Sequence, residues 1–222
     1  ERAVPQPGVA RAGLAESLLR LARTWHEARR YQDFSWLLVC AVFYQAGIAV
    51  VIALAAVYAE QVLGFKQTQT MMLIFLVNIA AALGAFAFGY LEDRVGHRTA
   101  LSATLWGWVV MTLLAVAATT PAVFWVAAVL AGLCMGSSQS AGRAMAGLFA
   151  PAHRLAEFYG LWTFAVRLSA IVGPITYGLV TLATGGNHRI AILSTGVFFL
   201  AGIVVLRRVD VARGSAAAQA GD

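Results

Sequence analysis

The chain has 222 residues, of which 60% are hydrophobic and only 12% charged, with a formal net charge of +6. Soluble domains carry about a quarter charged residues, so this composition excludes one and points to a lipid bilayer as the surrounding medium. The basic residues form no continuous face, which excludes a nucleic-acid partner, and Cys40 and Cys134 fall inside apolar runs that suggest neither a disulfide nor a metal site.

Residues 1–32 read as a cytoplasmic linker. Leu14, Leu18, Leu21 and Trp25 recur at helical spacing, with Arg20, Arg23, Glu27 and Arg30 on the other face. That pattern suits an amphipathic helix lying on the membrane surface, and equally a solvated helix held by pairs such as Glu16–Arg20. A bundle over 33–208 follows, and 209–222 read as a cytoplasmic tail. The chain opens on Glu1 rather than Met, with no leader pattern before the first apolar run, which reads as a fragment or a processed form.

Six apolar runs are long enough to cross about 30 Å of hydrocarbon as helices, at roughly 34–59, 69–90, 99–118, 122–145, 157–183 and 188–207. No run alternates as barrel strands do, so the fold class is all-α and polytopic. With six spans, both ends of the chain share one side. That side holds the arginines of the N-terminal segment and Arg94, Arg98, Arg143, Arg154, Arg207, Arg208 and Arg213; the other holds Lys66 and Arg189. The excess places both termini in the cytoplasm.

The connection between the second and third runs reads "GYLEDRVGHRTAL". Charge bias explains Arg94 and Arg98, and Gly96 suits a left-handed stop for the second span. Bias does not explain Gly89, best justified by close helix packing, or Asp93, whose carboxylate needs donors such as a helix N-terminus. In order and place, Gly89, Asp93, Arg94, Gly96, His97 and Arg98 resemble the loop joining spans two and three in each half of the major facilitator superfamily.

Residues 136–180 narrow the likeness. Gln139, Arg143, Pro151, Glu157-Phe158-Tyr159-Gly160, Arg167 and Gly173-Pro174, with "FYQAG" at 43–47, resemble the vacuole-effluxer-like branch, also called the unknown major facilitator family. Gln45-Ala46 stands where that branch usually has Asn-Asp, and Gly142 and Ala144 flank Arg143 where it usually has serines. The resemblance implies that this bundle is the C-terminal six-span half of a twelve-span carrier whose N-terminal half is a further partner. The loop residues are then gating residues, and Arg143 and Glu157 charges at the cytoplasmic end.

Polarity at depth suggests a site. Arg167 lies about 14 Å into the fifth span when that span is entered near Phe158, counted at 1.5 Å per residue. A buried arginine there needs a partner or an aqueous cavity. Tyr159, Thr163 and Arg167 share a stripe at i, i+4 spacing, and Gln45 and Asn78 fall at comparable depth, so the five are candidate substrate-binding residues. Gln45 and Asn78 also suit hydrogen bonding between helices, and Arg167 a structural pair. Gly173-Pro174 marks a kink with close packing. No carboxylate lies at mid-depth, which offers no obvious proton-coupling group.

The expected function is secondary active transport of a small solute, anionic or zwitterionic, with amino acid-like solutes among the candidates, across a bacterial cytoplasmic (inner) membrane. The alternative is a non-transporting scaffold or sensor that keeps the fold. An intramembrane serine protease would need a histidine at depth, and His26, His97, His153 and His188 all lie outside the span interiors. No catalytic, metal or cofactor site is expected.

Overall fold

The computed structural model describes residues 31–220. The expected amphipathic helix over Leu14–Trp25 lies outside the described residues. Within them are seven α-helices: α1 Gln32–Leu63, α2 Gln67–Val95, α3 His97–Ala117, α4 Pro121–Leu148, α5 Leu155–Ala183, α6 His188–Leu206 and α7 Val211–Ala220. A 3-10 turn, Ala152–Arg154, leads into α5. Helices α1 to α6 match the six expected spans in order, and each is long and apolar enough to cross a membrane.

The boundaries follow local chemistry. Gly64 ends α1 in the left-handed conformation (φ 66°), where its N–H is bonded to the Glu60 carbonyl. Gly96, at φ 83°, serves both the end of α2 and the start of α3; its N–H donates to the Glu92 carbonyl at 2.9 Å. Pro121 opens α4 at a position that needs no backbone donor. Asn187 caps α6 by accepting from the N–H groups of Arg189 and Ile190. Helix α5 runs through Pro174 to Ala183 without interruption.

Two tight seams organise the bundle. Along α2 and α4, Gly84, Gly132 and Gly136 remove the side chains that would separate the backbones: a Cβ on Gly136 would overlap the Ala81 carbonyl, and one on Gly84 the Leu133 backbone. Along α1 and α5, Gly173 lies directly against the Ala46 backbone. Lipid gives no hydrophobic drive to helix pairing, so such close approaches carry the association. Helix α6 packs on α1, α3 and α5, with Phe199 stacked on Trp108 at 5.1 Å between ring centres.

One end of the bundle is tied by polar contacts. Arg98 donates to the Arg207 carbonyl at 3.0 Å, joining the α2–α3 turn to the end of α6. The tail, read from sequence only as a tail, forms α7 and docks beneath this end. Arg213 donates twice to the buried Asp33 carboxylate, at 2.7 Å each, and Asp33 also accepts from the Asp210 N–H. At the other end, Arg189 donates to the Ala118 carbonyl and Tyr58 to the Ala115 carbonyl.

Burial is uneven. Only 17% of the apolar window of α2 and 22% of that of α5 are buried, against 44–56% for α1, α3, α4 and α6. These two helices carry the open faces that flank the site.

Candidate functional site

The site grows from facing stripes on α4 and α5, with α1 as its floor. On α5, Tyr159, Thr163 and Arg167 repeat at i, i+4 and stand on one side of the helix. On α4, Gln139 and Arg143 do the same. With Gln45 of α1 and the apolar Ile48, Ile52, Trp162 and Val166, these residues line one cleft of about 330 Å³. Gln45 is 8% exposed and Arg167 exposed to the cleft mouth.

The wall behind the cleft explains two glycines. The Tyr44 ring reaches from α1 to α4, and a Cβ on Gly142 would collide with its hydroxyl and with the Trp162 ring. That hydroxyl is the one buried side-chain polar atom without a hydrogen-bond partner among the described residues. Gly147 likewise leaves room for the Tyr159 hydroxyl, which donates to the Arg143 carbonyl at 3.3 Å. Tyr159 therefore ties α5 to α4 where the two stripes approach.

The electrostatics are one-sided. Neither Arg143 nor Arg167 makes an ion pair or side-chain hydrogen bond among the described residues, and no acidic residue lines the cleft. Glu157, grouped with Arg143 in the sequence reading, instead pairs with Arg154 at 2.6 Å in the turn before the site. Arg143 belongs to the cleft although it lies only five residues from the end of α4, about 8 Å at the rise of a helix. Arg167 is near the middle of α5, a 29-residue helix.

Asn78 does not join that cleft. Its amide donates back to the Ile74 carbonyl at 2.8 Å on its own helix. It lines two adjoining cavities instead: an apolar chamber of about 380 Å³ and an open one of about 670 Å³ along α2 and α4. The open cavity shares Gln139, Arg143 and Tyr159 with the cleft, and the chamber shares Ile52, so both border it. Gln139 and the inward reach of Arg143 are what the depth argument missed; their i, i+4 spacing was the available signal.

The α2–α3 turn is built separately. Arg94 folds over the Tyr90 ring, 4.6 Å from its centre, and donates to its hydroxyl at 2.7 Å. His97 Nδ1 lies 2.5 Å from the buried Glu92 carboxylate. Asp93 is exposed and has no hydrogen-bond or ion-pair partner among the described residues. Gly89 corrects the expectation of close packing: a Cβ there would meet nothing within 4 Å. The close approaches in α2 occur at Gly84, nearer the bundle centre. Among the described residues, no group of three or more His, Cys, Asp or Glu could hold a metal ion.

Residues 1–219 match the family model described as vacuole effluxer Atg22 like. The chain belongs to this family of major facilitator transporters. It is 25% identical over 190 residues to an uncharacterised MFS-type transporter, YxiO, of Bacillus subtilis, covering 86% of this chain and 44% of that protein. Autophagy-related protein 22-1 of Penicillium rubens is 26% identical over 208 residues, covering 87% of the chain and 35% of the relative. Autophagy-related protein 22 of Eremothecium gossypii is 24% identical over 176 residues, covering 74% and 34%. The chain thus spans less than half the length of these curated relatives. It is an integral membrane protein with six spans.

Proposed function

We propose that the chain is the C-terminal six-helix half of a twelve-span secondary carrier, which moves a small anionic or zwitterionic solute by alternating access. The observation that carries this reading is the cleft itself. Two arginines without ion pairs line one cleft whose flanking helices, α2 and α5, bury only 17% and 22% of their apolar windows. A second six-helix half over those faces would close the space into a midplane site, and rocking of one half on the other would alternate its access. In a dehydrated site, Arg143 and Arg167 attract negative charge far more strongly than in water.

The same reading assigns Asp93 and Gly89 to the seam with the second half. An unpartnered carboxylate at the membrane edge and an uncovered glycine both suit a helix end arriving from outside this bundle. The arginine-rich end, with the α2–α3 turn, the α4–α5 turn and α7, faces the cytoplasm, and the membrane is a bacterial cytoplasmic one.

The test is solute flux into proteoliposomes by the complete protein, with Arg167→Ala beside wild type. The expected result is flux in wild type, lost in the variant, with intrinsic melting temperature held and solute-induced stabilisation gone. A variant with lower intrinsic stability but unchanged solute-induced stabilisation moves Arg167 to a structural role. Absence of flux for every solute class supports the scaffold or sensor reading instead.

A further inference from the structure

The cleft and the two cavities that border it restrict the solute more than its sign, on the reading that the chain is half of a carrier. The cleft presents two guanidiniums, the neutral amides of Gln45 and Gln139, and the Thr163 hydroxyl. No aspartate or glutamate lines this cleft or either adjoining cavity, so this half offers an ammonium group no carboxylate. Two fixed positive charges with no counter-charge match a doubly charged anion, and guanidinium forks suit the planar or tetrahedral oxygens of carboxylate and phosphate.

The chamber behind Ile52 has the opposite chemistry. Leu73, Trp108, Phe124 and Ile192 are among its walls, and Asn78, already bonded to its own helix, is its one polar residue. At about 380 Å³ it is within the usual range of small-molecule pockets. A charged group placed there would lose its hydration without gaining a partner, whereas an aromatic or branched aliphatic body would lose only unfavourable contact with water.

We propose that the solute is an amphipathic organic dianion without an ammonium group. Its phosphate or dicarboxylate head lies between Arg143 and Arg167, and its apolar body points past Ile52 into the chamber.

Thermal-shift titration of the complete purified protein tests this with three probes: phenyl phosphate, inorganic phosphate and phenylalanine. Phenyl phosphate is expected to bind about tenfold tighter than either of the others, and Arg143→Gln or Arg167→Gln to weaken it by roughly tenfold or more. Filling the chamber with Ala128→Leu, or with Ala56→Leu as a second route, removes the advantage of phenyl phosphate over inorganic phosphate. Retained inorganic phosphate binding shows that such a variant is folded. Phenylalanine binding as tightly as phenyl phosphate, phenyl phosphate failing to bind wild type, or both arginine variants leaving it unchanged overturns the inference. A separate flux measurement keeps the two readings apart: transport of other solutes with no preference for the dianion removes this inference alone. Binding in the expected pattern without flux of any solute removes the carrier reading and leaves the binding site.

Discussion

At the scale of single residues, the charged side chains of the cleft and of the exposed α2–α3 turn include several without ion-pair partners. Arg143, Arg167 and Asp93 make no ion pair among the described residues, while Asp33, Glu92 and Glu157 are each engaged with a basic residue. An unpaired arginine in a membrane helix is costly, and it persists where an aqueous cavity or a ligand receives it. For Asp93, exposure means that its own bundle gains little from the charge. Asp93→Asn is therefore expected to leave the melting temperature within about 1–2 °C of wild type, as surface substitutions do, while reducing flux several-fold. Unchanged flux would return the α2–α3 turn to a simple basic connection whose arginines only set orientation. The i, i+4 stripe of Tyr159, Thr163 and Arg167 was legible in the sequence, because one helix carries all three. For Arg143 the sequence offered only its i, i+4 spacing from Gln139, because membership of the cleft depends on how α4 is rotated against α5.

At the scale of elements, backbone proximity and the docking of α7 separate two kinds of stability. Gly136 lies under the Ala81 carbonyl, and backbone there can yield only if α2 and α4 separate. Gly136→Val is expected to destabilise the bundle by about 2 kcal/mol or more, read as a lower unfolding midpoint in detergent. Gly89→Leu touches nothing in this unit and is expected to leave that midpoint unchanged. A fall in flux for this second variant, with normal expression, places another helix over Gly89. The α7 contact is different in kind. Asp33 is 2% exposed while the Arg213 side chain is 55% exposed, so the carboxylate depends on the pair more than the guanidinium does. Removing Arg213 alone strands a buried charge, whereas removing both partners does not. Arg213→Ala is expected to lower the unfolding midpoint, and the Asp33→Ala/Arg213→Ala double variant to lower it no further than that single change. A double variant clearly less stable than Arg213→Ala would mean that Asp33 acts mainly through the Asp210 N–H.

At the scale of the whole molecule, all the arginine-rich connections gather at one end. Arg98 on the Arg207 carbonyl, Arg208 over the Trp36 ring and Arg213 on Asp33 draw the α2–α3 turn, α6, α7 and the start of α1 together there. The charge asymmetry predicts that this end is cytoplasmic. Single cysteines at Thr99 and Ala152, in a background lacking Cys40 and Cys134, are expected to resist an impermeant thiol reagent in intact cells and to react after permeabilisation. A cysteine at Gln67 or Asn187 is expected to react in both. Labelling of Thr99 in intact cells would invert the orientation.

The number, order and approximate limits of the spans were determined by the sequence alone, because transfer of an apolar run into lipid depends on length and composition within that run. The expected orientation rests on the same kind of local information: it depends on which connections carry arginine, whatever their neighbours. The α2–α3 turn was readable too, since Gly96 and its flanking charges act over one helix end. Only the tertiary structure decided which helices share a seam, that Gly84 rather than Gly89 is the close-packed glycine of α2, and that Arg143 and Gln139 join Gln45 and Arg167 while Asn78 turns away. Those outcomes depend on the rotation and approach of separate helices. The reason is physical: helix rotation in lipid is set by van der Waals fit between backbones brought close by small residues. That fit is a property of paired surfaces, and neither member of a pair carries it by itself.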